Sequence, residues 1–251
     1  MSEAHSGSSA PNVTVGRVIN RVMSVTGNNF PVLFLVTALF YLPALWITYE
    51  QTRVLDGSTA DPLLLGVGSI VSVLLQFALI AAVTFAVYAA LRGEKASFGA
   101  TLGQGLKHAV PVIAVSMISG IAIFVGLLLL IVPGVIAVIM LSVAVPALIA
   151  ERAGIFGSLS RSAELTKGHR WMILGVFVVW VVFILGITLV GGMLIGLTAV
   201  FSGGIMVLVF LNWILSVLYG MIGAVIAPVL YFELRVSKEG LDLGDIASVF
   251  D

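Results

Sequence analysis

The sequence has no cysteine. Disulfides and thiolate metal sites are therefore excluded, and the redox compartment is left open. Charge is scarce as well. Asp, Glu, Lys and Arg make up 10% of the 251 residues, against about 25% in an average globular chain. Acidic and basic side chains balance at 12 each, so no net positive field points to nucleic acid as a partner. Within the long apolar runs there is no Asp, Glu, Lys, Arg or His at depth; Glu50, Glu151 and Glu233 all stand at run ends. Ionisable groups inside a membrane are costly and mark proton relays and ion paths. Their absence speaks against a proton-coupled pump or a channel with a charged filter. There is no nucleophile–His–acid arrangement, no phosphate-binding glycine loop and no pair of carboxylates in an apolar pocket. His108 and His169 have no metal-ligand spacing between them. No catalytic residue, cofactor or metal is expected. Residues 1–12 ("MSEAHSGSSAPN") lack the basic and apolar regions of a signal peptide and read as a disordered tail.

What the chain has instead is apolar length. It is 60% hydrophobic, with a mean hydropathy of +1.20. A membrane-crossing helix needs about 20 apolar residues. Residues 30–49 and 62–91 are uncharged. Residues 109–150 are uncharged over 42 positions, which as one helix would be about 63 Å long, roughly twice the hydrocarbon core. That run must fold back, and the expected break is "IVPGV", where Pro133 lacks a donor and Gly134 permits a turn. Residues 171–232 divide in the same way at "FSGG" (201–204). The expected fold is all-α. It is a single domain over residues 13–251 with six transmembrane helices at 30–49, 64–91, 110–131, 134–150, 171–196 and 205–232. Continuous apolar runs, not alternating ones, exclude a β-barrel.

Six spans put 11 of the 12 Lys and Arg on one side, leaving only Arg53 opposite. The positive-inside rule then places both termini in the cytoplasm. Three basic segments on that side have the period of amphipathic interface helices. Before the first span, Val15, Val18, Ile19, Val22 and Val25 form a stripe opposite Arg17 and Arg21. Before the third, Phe98, Leu102, Leu106 and Ala109 line up away from Lys107. Before the fifth, Ile155, Phe156, Leu159, Ala163 and Thr166 share one side, with Leu165 out of place. One surface helix followed by one membrane hairpin, three times over, suggests a threefold repeat. "GNNFPVL" (27–33) compares with "GHRWMIL" (168–174), a glycine ending each surface helix, while the middle unit fits only with a gap. The same pattern would follow if every hairpin simply needed a basic loop.

Arg161, Lys167, Arg170, Arg17 and Arg21 are candidate contacts to lipid headgroups. Gln76 and Asn212 are the deepest strongly polar side chains and read as interhelical hydrogen-bonding groups or as cavity lining. Trp180, Trp213 and Tyr219 read as packing residues. Small-residue pairs, Ser116 with Gly120, Gly192 with Gly196 and Gly220 with Ala224, permit close helix contact. Pro43, Pro146 and Pro228 lie within three spans. After the last span, Leu243, Ile246, Ala247 and Phe250 make an apolar stripe expected on a short docked helix.

Residues 145–177, the "IVPGV" hairpin and the ending "YFELRVSKEG" (231–240) together resemble a bacterial six-span inner-membrane family. It includes the membrane domain fused to some glycerophosphodiester phosphodiesterases and many stand-alone proteins of unknown function. The likeness is most specific at Glu151, Arg161, Ser162, Leu165, Gly168 and Trp171. It implies an integral membrane module with cytoplasmic termini. The phosphodiesterase motifs are absent, so the resemblance implies no catalytic residues. The expected role is a non-enzymatic scaffold or accessory in envelope or lipid processes, with membrane lipids, a membrane-protein partner or a second copy as partners. The alternative is a transporter or flippase-like carrier of a lipid or apolar small molecule. A cavity lined by Gln76, Asn212 and Ser142 would favour the carrier.

Overall fold

The computed structural model describes residues 13–55, 59–201 and 205–240, so the expected N-terminal tail and C-terminal stripe lie outside the described residues. Those described are helical, with no strand among them. The helices are α1 (Val15–Asn28), α2 (Phe30–Phe40), α3 (Leu42–Leu55), α4 (Pro62–Leu91), α5 (Phe98–Lys107), α6 (Ala109–Leu129), α7 (Ile131–Leu141), α8 (Ala144–Glu151), α9 (Gly154–Thr166), α10 (Arg170–Phe201) and α11 (Ile205–Glu239). Five stretches are long and apolar enough to cross a membrane: Pro62–Leu91, Ala109–Leu129, Ile131–Glu151, Arg170–Leu194 and Met206–Glu239. A sixth is reached only if α1 and α2, bent by 87° at Asn29, are taken as one span. The chain therefore has the architecture of a multi-pass membrane protein.

The first expected span is divided at Tyr41, between α2 and α3. Pro43 sits in the first turn of α3, where a missing N–H costs little. The Tyr41 carbonyl accepts both Leu45 N at 3.2 Å and the indole Nε1 of Trp213 at 2.8 Å. Gly220 leaves room for the Tyr41 ring. Trp213 thus packs, as expected, and also pins the break. Trp180 packs as well; a Cβ at Gly223 would lie 2.6 Å from its Cζ2. The other small-residue pairs behave differently, since Gly120, Gly192 and Gly196 face open space.

The second hairpin corrects one expectation. The chain breaks at Leu130, whose backbone is extended (φ −165°, ψ 156°), and Pro133 and Gly134 lie inside the first turn of α7. A proline there replaces an N–H that would have no helical partner. Gly134 does not turn the chain. Instead it lets α7 approach α6: a Cβ at Gly126 would lie 3.0 Å from Gly134 Cα, and one at Gly134 would strike Leu127. α7 gives way to α8 at Ser142 and Val143, and Pro146 occupies the first turn of α8.

Three arms form the centre. α4, α8 and α11 pack on one another. These arms bury small residues, among them Ala86, Ala144 and Ala147, which let helix axes come close. α6 and α10 are outer arms, with only 17% and 11% of their apolar windows buried, against 50% for α4. The short helices clasp the inner arms. α1 packs on α11 and α10, α5 on α4 and α2, and α9 on α8 and α6. α1 meets α2 at 87°, so it lies across that helix, not in line with it. At each entry into a long arm, one residue's carbonyl takes the first hydrogen bond of the next helix. Asn29 accepts from Leu33 N (3.0 Å), His108 from Val112 N (3.2 Å) and His169 from Ile173 N (3.0 Å). Leu33, Val112 and Ile173 are fully buried, and so are Val36, Val115 and Val176 three residues later.

The α1 stripe is buried at Val18, Val22 and Val25, as expected. The α5 and α9 stripes are buried only in part: Leu102, Ala109, Ile155 and Leu159 pack against the core and Thr166 is buried. α5 buries Thr101 and Gly105 and leaves Phe98 and Leu106 exposed. α9 buries Ser158, Ser162, Leu165 and Thr166 and leaves Phe156 outside. Small and hydroxyl faces allow closer docking onto the inner arms than large apolar ones. Gly27, expected to end α1, lies within it, whereas Gly168 does end its helix, at φ +90°.

Ser162 explains why a hydroxyl is buried. Its Oγ accepts from Val143 N–H at 3.3 Å and donates to Met140 O at 2.7 Å, satisfying both sides of the α7–α8 break. Ser162→Ala orphans a buried donor and is expected to cost about 1–3 kcal/mol. Ser160→Ala, on the exposed side of α9, should change the unfolding midpoint little. Equal midpoints for the two variants in detergent would refute this role.

Candidate functional site

Charged residues gather where α8, α9 and α11 meet. Arg161 Nε lies 2.9 Å from both carboxylate oxygens of Glu151, and its Nη2 pairs with Glu239. Arg235 Nε donates to Glu239 Oε2 at 2.8 Å and stands 3.9 Å from Glu151 Oε1. The Tyr231 hydroxyl donates to Glu151 at 2.7 Å and accepts from Arg235 Nη1 at 3.3 Å. Tyr88, on α4, donates to Pro146 O at 3.0 Å, its ring 6.3 Å from that of Tyr231. Two guanidinium groups thus meet Glu151 and Glu239, with the exposed Glu164 3.8 Å from Arg161 Nη1, an ionic knot that closes one end of the three-arm core. A second pair ties α1 to α11. Arg21 Nη1 lies 3.1 Å from Glu233, which is buried, and the guanidinium stands over the Phe232 ring.

The candidate headgroup residues therefore divide. Arg161 and Arg21 are engaged by carboxylates of the protein. Arg17, Lys167 and Arg170 are exposed and make no ion pair among the described residues. Burial beside α11, together with the Lys238 charge, lowers the pKa of His169 below the usual imidazole value; its ring lies 3.5 Å from Ser237 Oγ. Gln76 and Asn212 both face outward and are not brought together. Ser142 donates to the Ile139 carbonyl of its own helix.

Sequence reasoning used four cations for topology alone, and the fold brings them together. Arg92, Lys95, Lys107 and Arg152 line a cleft of about 630 Å³ between the end of α4, α5 and the end of α8. His108 forms its inner wall, its ring 4.9 Å from that of Phe85. Glu94 is the acid in the lining. Arg152 is the one non-glycine residue with positive φ (50°) among those described. Nothing local signals this site, because Arg152 arrives from an arm 45 residues after Lys107. The recurrence of Tyr-x-x-x-Arg at Tyr88–Arg92 and Tyr231–Arg235 was a readable hint.

Comparison with protein-family models, curated proteins and solved structures finds no match. The geometry alone carries the functional reading.

Proposed function

We propose that this protein is a non-enzymatic, six-span module of the bacterial cytoplasmic membrane, a scaffold or accessory in envelope or lipid processes. The carrying observation is the disposition of polar groups. Gln76 and Asn212 are turned outward, while the inner arms bury aliphatic side chains and end in an ionic knot. A carrier would need the opposite arrangement, with polar groups converging on an enclosed path. The uncovered faces of α6 and α10 suit lipid, a membrane-protein partner or a second copy.

In this reading α2 and α3 form one span broken at Tyr41, since both pack on α4 and α11. The span count of six then gathers 11 of 12 basic residues at the end holding α1, α5 and α9, which becomes the cytoplasmic end. A threefold repeat accounts for the cyclic packing, in which each short helix clasps the arms of the preceding hairpin and α1 clasps those of the last. It also fits the shared position of Asn29, His108 and His169, whose carbonyls accept from Leu33, Val112 and Ile173 at the starts of α2, α6 and α10. The resemblance to the six-span inner-membrane family agrees with this organisation.

Reconstitution into vesicles carrying a fluorescent phospholipid tests the role. No faster transbilayer exchange than in protein-free vesicles is the expected result. Exchange that scales with protein density would replace the scaffold reading with the carrier.

A further inference from the structure

We propose that the cleft between α4, α5 and α8 binds a phosphate-bearing anion, held by Lys95, Lys107, Arg152 and Arg92. The proposal rests on the membrane reading above, which sets this end of the bundle at headgroup level, but not on the choice between scaffold and carrier.

The strongest support comes from comparing two neighbouring junctions of the inner arms. Between α8 and α11, α9 contributes Arg161, and α11 contributes Tyr231 and Arg235 in an i, i+4 pair. Their charge is met from within the protein by Glu151 and Glu239. Between α4 and α8, α5 contributes Lys107, and α4 contributes the same i, i+4 pair, Tyr88 and Arg92. Here Glu94 is the one acid among the described lining residues. The position four residues after Arg235 is Glu239, whereas the position four residues after Arg92 is Ala96. Lys95, Lys107 and Arg152 make no ion pair among the described residues. Where one junction is filled by carboxylates, the other is an open cleft of about 630 Å³ in which Lys95, Lys107 and Arg152 face one acid among the described lining residues. Like charges brought together repel unless an anion sits between them.

Two further features fit. Arg152 holds a left-handed backbone conformation that a glycine would adopt without strain, and backbone strain of this kind gathers at ligand sites. A guanidinium offers the paired N–H donors that match phosphate oxygens. The positive-inside rule explains the sign of these residues. It does not explain why cations from the α4–α5 connection, the end of α5 and the end of α8 converge on one cavity.

A headgroup of an anionic phospholipid and a soluble phosphate ester share this chemistry, so the experiment separates them. The full chain is placed in nanodiscs of phosphatidylcholine with a minor share of phosphatidylglycerol, and released for native mass spectrometry. The expected result is one retained phosphatidylglycerol per chain. Lys95→Gln/Lys107→Gln/Arg152→Gln should lower that retention about tenfold, as expected for losing one or two charge-assisted contacts. Arg17→Gln/Lys167→Gln/Arg170→Gln removes equal charge outside the cleft and should leave retention within about twofold of wild type. Retention that survives excess glycerol 3-phosphate identifies the lipid as ligand; replacement by a glycerol 3-phosphate adduct identifies the soluble ester. Equal losses in the two triple variants, or no phosphate-bearing adduct on wild type, would overturn the proposal. Arg152→Gly guards against misfolding. It should raise the unfolding midpoint while lowering retention, and a lower midpoint with unchanged retention would count against a ligand role for Arg152. Lipid exchange in vesicles is read separately, so failure of the cleft and failure of the scaffold reading are distinguishable.

Discussion

Glu151→Ala should lower stability by about 2–3 kcal/mol, between the values for exposed and fully buried ion pairs. Glu151 is about one-fifth exposed and Arg161 about one-quarter, so neither limit applies. The carboxylate receives Arg161 Nε on both oxygens and the Tyr231 hydroxyl on one. Its loss leaves Arg161 with Glu239 and Glu164 alone, and Arg235 with one carboxylate in place of two. The knot also joins α8, α9 and α11, so its loss loosens the packing at that end of the core. Glu151→Gln keeps an acceptor for Tyr231 and should fall between wild type and Glu151→Ala. A double-mutant cycle with Arg161→Ala should give a loss well below the sum of the single losses. Additive losses, measured as unfolding midpoints in detergent, would show that the two side chains do not act together.

The second large effect is expected at Gly105. α5 touches α4 with backbone against side chain: a Cβ at Gly105 would lie 2.5 Å from Ala82 Cβ and 2.9 Å from Ala82 Cα. The obstruction includes backbone, which cannot rotate away. Gly105→Leu must therefore lift α5 from α4 and should cost about 3 kcal/mol or more, at the upper end for overpacked cores. Gly103→Leu, on the same helix, meets open space and supplies the control. Its better helix propensity should leave stability unchanged or slightly raised. Thermal unfolding of the two variants decides the matter. Equal midpoints would mean that α5 does not dock as described.

These two sites mark how far the sequence could be read. Run length and charge placement were enough for an all-helical chain with several membrane-grade arms, because hydrophobic length is a property of contiguous residues. Of the two breaks expected in the long uncharged runs, the first was located to within a few positions, and the second, at 202–204, lies outside the described residues. Leu130, not Pro133, makes the first of them, since a proline in a first helical turn looks the same in sequence as a proline in a loop. The inner faces of α5 and α9 were misjudged for a different reason. A helical wheel ranks faces by hydrophobicity, but docking here selects small size. Gly105 and Ser162 carry no hydrophobic signal, and large residues such as Phe98 and Phe156 are left outside. The ionic knot and the basic cleft depend on contacts between arms far apart in the chain, and no local pattern encodes such pairings.

The clasp of α1 on α10 and α11 has a consequence for biosynthesis. α1 rests on α10 and α11, two arms that are made long after it. The buried setting of Val18 and Val22 is therefore incomplete until α10 and α11 have been translated. Arg21 must likewise wait for Glu233, more than two hundred residues later. Docking of α1 becomes a long-range event, opposed by a closure entropy that grows with the logarithm of the loop length. Until then the nascent N-terminal segment is a free amphipathic helix, and the bilayer surface is where its uncovered stripe can be sheltered.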